Sequence, residues 1–205
     1  MIEMKVLKAQ YPARVKDYLW SRETRQTVEM LQEGKSLDEI KQLSETENVY
    51  NAISKSRANE IRTVVFRRLR AVDEAFLAFF ADQPVEIQKL LCIVLVLLTD
   101  HTFLRFMDEV YREKLIVGNT DLADADFFSF LHKLQAEDAH AAKWTDAALG
   151  KIRDNFKSIL REGGLLTESG NPRKILRPLM GKEQEDFFQA EGIGYLYKIL
   201  AGERE

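Results

Sequence analysis

Apolar positions recur at spacings of three and four through most of the chain, which is the period of amphipathic helices. Ser21 stands where it can cap a helix running through Glu23, Val28 and Leu31, with Gly34 to end it. Ser36 and Glu39 then make a Ser-x-x-Glu capping box for a short helix that turns Leu37, Ile40 and Leu43 inward, and the polar run Ser44–Asn48 reads as a loop. A third helix is predicted from Ser54 or Ser56, with Ala58, Ile61, Val65 and Leu69 on its buried side. Together these form a three-helix unit over residues 15–70 with the plan of a helix-turn-helix.

Residues 71–140 read as a helical body. Phe76, Leu77, Phe79 and Phe80 feed its core, and Phe103, Phe106, Met107 and Val110 form a later stripe that Gly118-Asn119 breaks. Asp126, Phe127, Phe130 and Leu131 belong to a further helix that Asp124 or Thr120 can cap. Between them runs Leu90–Leu98, nine apolar residues flanked by Lys89 and Asp100. A membrane-spanning helix needs roughly 20. A helix buried on most of its surface, with Pro84 in its first turn, fits better, and a short buried strand remains open because of Ile93, Val94 and Val96.

Residues 141–200 carry a different punctuation. Trp144 precedes Thr145, a capping residue for a helix that buries Ala148, Ile152, Phe156, Ile159 and Leu160. Gly163-Gly164 closes that helix. Leu165–Thr167 reads as a strand, Glu168-Ser169-Gly170-Asn171-Pro172 as a turn, and Lys174–Leu179 as the returning strand, with Pro178 at its end or on an edge. Helix, glycine turn, strand, turn, strand is the chain order at the end of a winged helix. A terminal helical segment, Glu183–Leu200, is interrupted at Gly192 and Gly194. The fold class expected is therefore mainly α: a multi-helical body with a helix-turn-helix-like N-terminal unit and a small winged-helix-like C-terminal unit.

Composition narrows the function classes. Of 205 residues, 45% are hydrophobic and 31% charged, which argues against disorder and fibrous repeats. The net charge of −3 conceals a segregation: residues 51–70 carry +5 and residues 143–177 carry +4, whereas residues 71–142 carry −8. Both basic stretches fall on the last helix of a small helical unit, or on that helix and its hairpin, where such units meet a phosphate backbone. The candidate nucleic-acid contacts are Ser54, Lys55, Arg57, Arg62, Arg67, Arg68 and Arg70 in the first stretch, and Lys151, Lys157, Arg173 and Lys174 in the second. Lys55, Asn59 and Arg62 project near one helix face, and the planar fork of arginine matches both phosphate and the guanine edge. The competing account is a solvated helix face with its late arginines favoured by the helix dipole.

Signals for catalysis are poor. The chain has no Gly-x-Gly-x-x-Gly, no phosphate-binding Gly-x-x-x-x-Gly-Lys and no His-Glu-x-x-His. Cys92, alone among Leu91, Ile93 and Leu95, reads as an inert buried thiol, and His101, His132 and His140 fit no metal-ligand spacing well. No cofactor and no metal are expected. The first residues, Met1–Lys5, lack the apolar stretch of a secretory signal, so the expected location is the cytoplasm, with no membrane association.

The stretches Phe103–Lys114, Thr120–Leu131, Lys143–Asp146, Ile159–Leu166 and Ile175–Leu179, together with Ser21–Thr24 and Gly34–Ile40, resemble in order and spacing the BrxA family of the bacterial BREX phage-resistance system. The likeness covers about residues 15–200. It implies a small cytoplasmic, non-enzymatic component of a defence operon, helical apart from a small wing, that binds double-stranded DNA and works beside other BREX proteins. A suggested affinity of the family to the antitermination factor NusB keeps RNA or protein binding open. A protein–protein adaptor without direct DNA contact is the alternative. The acidic total of this chain departs from a simple DNA-binding picture and favours two local contact patches.

Overall fold

The computed structural model describes residues 11–204. After an extended segment, Tyr11–Trp20, the N-terminal helices are α1 (Ser21–Gln32), α2 (Leu37–Thr46) and α3 (Lys55–Leu69). The middle holds α4 (Glu74–Asp82), α5 (Val85–Leu97), α6 (His101–Phe106) and α7 (Glu113–Ile116), then strand β1 (Asp121–Leu122) and α8 (Asp124–Glu137). The rest is α9 (Asp146–Glu162), strand β2 (Arg173–Lys174), α10 (Lys182–Ala190) and α11 (Gly194–Ala201). The fold is mainly α, with one small two-stranded sheet among the described residues.

The long apolar run is the helix α5, not a strand. A helix apolar on every face must be covered on every face. Leu90 to Leu97 are all buried, and α1, α3, α4, α6 and α9 pack around them. Gly163 permits a close approach to α5, because a Cβ at that position would collide with the Ile93 side chain. No single described helix is long and apolar enough to cross a membrane; α5 and the helical stretch His101–Ile116 reach that composition only as a pair bent by 109°.

Local chemistry sets the helix ends. Ser36 and Glu39 form the full capping box, and Thr145 caps α9 through the Ala148 N–H. Gly34, at φ +88°, ends α1 in the left-handed region. Several expectations shift. Ser21 lies inside α1 rather than capping it: Trp20, at φ 56°, holds the cap position, and the Ser21 hydroxyl and N–H both donate to Glu162 Oε1 at 2.7 and 2.8 Å. The helix α2 continues through Ser44 to Thr46, where a loop was expected. Neither Asp124 nor Thr120 caps α8; the cap position is Ala123, whose N–H donates to the Asp126 carboxylate. Met107–Arg112 is a π-helical turn that links α6 to α7, a feature no propensity announces.

The expected C-terminal hairpin is reduced and joined by a third segment. Leu166 and Ile175 form a single antiparallel bridge, with Leu176 N–H donating to Leu165 O and Thr167 N–H to Lys174 O. The named strand β2 pairs instead with β1, Asp121 opposite Lys174 and Leu122 opposite Arg173. Leu176–Leu179 lies outside any strand, as Pro178 requires.

The segment Tyr11–Trp20 works as a strap. Thr102 donates to Pro12 O, Asn155 of α9 to Arg14 O, and Arg68 of α3 to the carbonyls of Asp17, Tyr18 and Leu19. One run of backbone therefore ties α3, α6 and α9 around the α5 core.

Asp100 caps α6 through the Phe103 N–H while almost wholly buried. Burial pushes its carboxyl up to about 6, against the opposing pull of the Phe103 N–H and of Arg14 at 3.8 Å; Asp17 adds to the rise and Arg68 opposes it. The unfolded carboxyl titrates near 3.9. Between about pH 4 and 6 the folded chain thus holds a proton that the unfolded chain releases, and stability falls as pH rises through that window. Asp100→Asn keeps an oxygen acceptor for the cap and removes the charge. The variant should gain on the order of 2 kcal/mol at pH 7 and lose the slope between pH 4 and 6. Urea denaturation across pH checks this, and a variant less stable than wild type at pH 7 would refute it.

Candidate nucleic-acid interface

The N-terminal candidates divide along the length of α3. Ser54 caps the helix, accepting from Arg57 N–H at 3.2 Å, and Lys55 follows it, exposed. Arg57 is turned back. Its guanidinium pairs with Glu60 at 3.0 Å and lies 4.4 Å from the Trp20 ring centroid and 5.3 Å from that of Tyr18. Arg62 donates to Glu45 Oε1 and Asn59 Oδ1, each at 2.6 Å. Lys55, Asn59 and Arg62, expected on one face, do line one cleft between α2 and α3, together with Ser44, Glu45 and Ala58.

The later arginines serve the fold. Arg67 pairs with Asp17 at 2.8 Å. Burial would raise the Asp17 carboxyl, but Arg67 and Arg14 outweigh it and hold the group below its usual range. Arg68, expected at the surface, is 1% exposed, so it cannot meet a ligand. Two of its donors reach Tyr18 O and Leu19 O at 2.8 Å and Asp17 O at 3.0 Å, and burial lowers its pKa to about 10. It belongs to the strap because it stands three residues after Val65 on the buried side of the helix. Arg70 is exposed, 5.8 Å from the Phe66 ring.

The C-terminal patch is likewise partly neutralised. Lys157 is half-buried, pairing with Asp124, which Arg153 also reaches at 3.2 Å. Arg173 donates to Thr167 O at 3.3 Å, and Lys174 pairs with Asp121 across the strand pair. Lys151 is exposed on α9, and Arg161 meets Glu168 only at 3.7 Å. The turn after Thr167 bends back onto the start of α8, where Asn171 Oδ1 accepts from Asp124 N–H. Lys55, Arg70 and Lys151 make no ion pair among the described residues.

Sequence reasoning gave no site role to Ser44 and Glu45, which line the cleft between α2 and α3. The signal was present: Ser44 stands four residues after Ile40 and seven after Leu37, on the apolar stripe of α2, and is buried there. Among the described residues, no group of three or more His, Cys, Asp or Glu side chains is placed to hold a metal ion. Cys92 is buried and its thiol is pushed up to about 12, as an inert core residue should be.

Comparison with known proteins supplies the lineage. The family model for BrxA matches residues 10–192. A Bacillus cereus (strain H3081.97) protein named BREX protein BrxA is 32% identical over 174 residues, spanning 85% of this chain and 87% of that protein. The crystal structure of an uncharacterized protein from Magnetospirillum magneticum is similar with a TM-score of 0.78, at 19% identity, over 94% of this chain and 98% of that one. At that identity the structure speaks for the fold alone, while the family model and the Bacillus cereus relative carry the assignment. The chain belongs to the BrxA family of the BREX phage-defence system.

Proposed function

We propose that this protein is a non-enzymatic, double-stranded DNA-binding component of its defence system. The observation that carries the reading is the division of α3: its C-terminal half is fastened to the strap by Arg67 and Arg68, while its N-terminal half presents Lys55, Ser56 and Asn59 to solvent. That is the mounting a helix needs to enter a major groove by its N-terminus. The second contact is a winged helix. Its chain order would be α6 to α7, β1, α8, α9, then the segments that meet at the Leu166–Ile175 bridge, so we draw the unit from about residue 101 rather than 141. Residues 15–70 remain the helix-turn-helix-like unit, and the two share α5 as a common support.

The test is titration of a short labelled duplex at several salt concentrations. Each phosphate contact should add about −0.9 to the slope of log K against log salt. Measurable binding at about 50 mM salt that weakens steeply with added salt is expected. No binding there, or binding indifferent to salt, would refute DNA contact. The adaptor reading draws on one feature, the net −8 of residues 71–142, which suits a basic partner protein. Co-purification with other BREX proteins that survives nuclease treatment would favour it.

A further inference from the structure

The cleft between α2 and α3 has a volume of about 360 Å³ and is lined by Ser44, Glu45, Lys55, Ala58, Asn59 and Arg62. Ser44 is 4% exposed, and its hydroxyl is buried with no hydrogen-bond partner among the described residues. Buried hydroxyls are nearly always paired, so one without a partner in the lining of a cleft is available to a ligand oxygen. Around it stand Lys55, which makes no ion pair among the described residues, and Arg62, whose guanidinium is held by Glu45 and Asn59. Because Asn59 accepts through Oδ1, its amide N–H groups are left to donate. The cleft also opens at the start of the 15-residue helix α3, where the helix dipole favours an anion.

We propose that this cleft is a site for one phosphate group. The Ser44 hydroxyl, the Asn59 amide, the Lys55 ammonium and the Arg62 guanidinium would donate to its oxygens. Glu45 is the placeholder. Its carboxylate occupies Arg62 in the free protein and yields it when phosphate arrives. The exchange is cheap, because the Glu45 side chain is 53% exposed and an ion pair so open to water holds weakly. Glu45 thereby competes with the incoming phosphate for Arg62, so its negative charge lowers the affinity of the site. As a corner of the DNA interface the site rests on the function proposed above; as a site for free phosphate it stands without it.

Two arms test it on the full chain. In the first, inorganic phosphate is titrated while backbone amide signals are followed by NMR. Signals of Ser44 and of Lys55–Asn59 should move together in wild type, the response should vanish in Ser44→Ala, and Glu45→Gln should bind phosphate about fivefold more tightly, the worth of one modest ion pair. In the second, duplex affinity is measured across salt. Ser44→Ala should weaken binding about tenfold or more, the worth of a hydrogen bond to a charged acceptor, with the salt slope unchanged because no charge is removed. Glu45→Gln should tighten binding about fivefold. The thermal midpoint of Ser44→Ala should not fall, since the hydroxyl has no partner to lose; a lowered midpoint would make Ser44 structural and overturn the site. Phosphate that leaves the cleft signals unmoved also overturns it. Wild-type duplex binding with Ser44→Ala and Glu45→Gln both neutral refutes the site as a corner of the DNA interface and leaves DNA binding standing. Phosphate in the cleft without duplex binding does the reverse.

Discussion

Arg68→Ala should destabilise the fold by about 4 kcal/mol, the largest effect of any surface-assigned arginine in the chain. The side chain is 1% exposed and donates to three consecutive backbone carbonyls of the strap. Truncation removes charge-assisted hydrogen bonds to Asp17 O, Tyr18 O and Leu19 O, leaves the buried Leu19 carbonyl without its donor, and opens a void beside α3. Because the strap also carries the Thr102 and Asn155 bonds, its release loosens α6 and α9 together. A domain of this size should lose on the order of 10 °C in thermal midpoint. Arg68→Lys retains the charge but not the fork, so it should recover about half of the loss. Arg67→Ala is the contrast: its pair with Asp17 is partly exposed, 31% and 19%, and should cost about 1 kcal/mol or less. If Arg67→Ala and Arg68→Ala unfold alike in urea, Arg68 is not the anchor described.

The helical layout was legible because its signals are local. The Ser36–Glu39 capping box, the Ser54 and Thr145 caps and the glycine at 34 act within one turn, and each is where the pattern places it. What escaped depends on distant partners. Strand β1 is only Asp121–Leu122, too short for any alternation, and exists because β2 arrives some fifty residues later to pair with it. Ser21 looks like a cap until Glu162, 141 residues away, takes its hydroxyl. The arginines show the same limit. A helical projection separates Lys55 and Arg62 from the Ile61–Val65 side, yet it cannot foresee that an extended segment preceding α1 crosses α3 and turns Arg67 and Arg68 from solvent-facing charges into fasteners. Net charge over a segment counts such residues equally with free ones. The +5 of residues 51–70 therefore overstates the charge offered to a ligand, since Arg57, Arg62, Arg67 and Arg68 are each already engaged.

Separate removal of the two basic patches should weaken duplex binding unequally. On α3 the informative pair is Lys55→Ala with Arg62→Ala, because both line the same cleft and neither holds the strap. This variant should bind about 10- to 30-fold more weakly near 100 mM salt, and its salt slope should shrink by about one for each phosphate it no longer neutralises. On the C-terminal unit the pair is Lys151→Ala with Lys174→Ala. Its effect should be smaller, about threefold, because Asp121 already neutralises Lys174 and a partner must compete for it. Neither double variant should move the thermal midpoint by more than a few degrees, since Lys55, Lys151 and Lys174 are exposed and Arg62, though mostly covered, pairs with the exposed Glu45. If α3 and the proposed wing grip one duplex, the two effects should multiply in the quadruple variant, as they do for independent sites with no shared partner. A quadruple variant no weaker than the α3 pair alone would mean that the C-terminal patch stays off the DNA. Weakening confined to Lys151 and Lys174 would instead make the N-terminal unit a docking module for a protein partner. Should neither pair alter affinity in a wild type that binds, the basic stretches are solvated faces and the duplex is held elsewhere on the molecule.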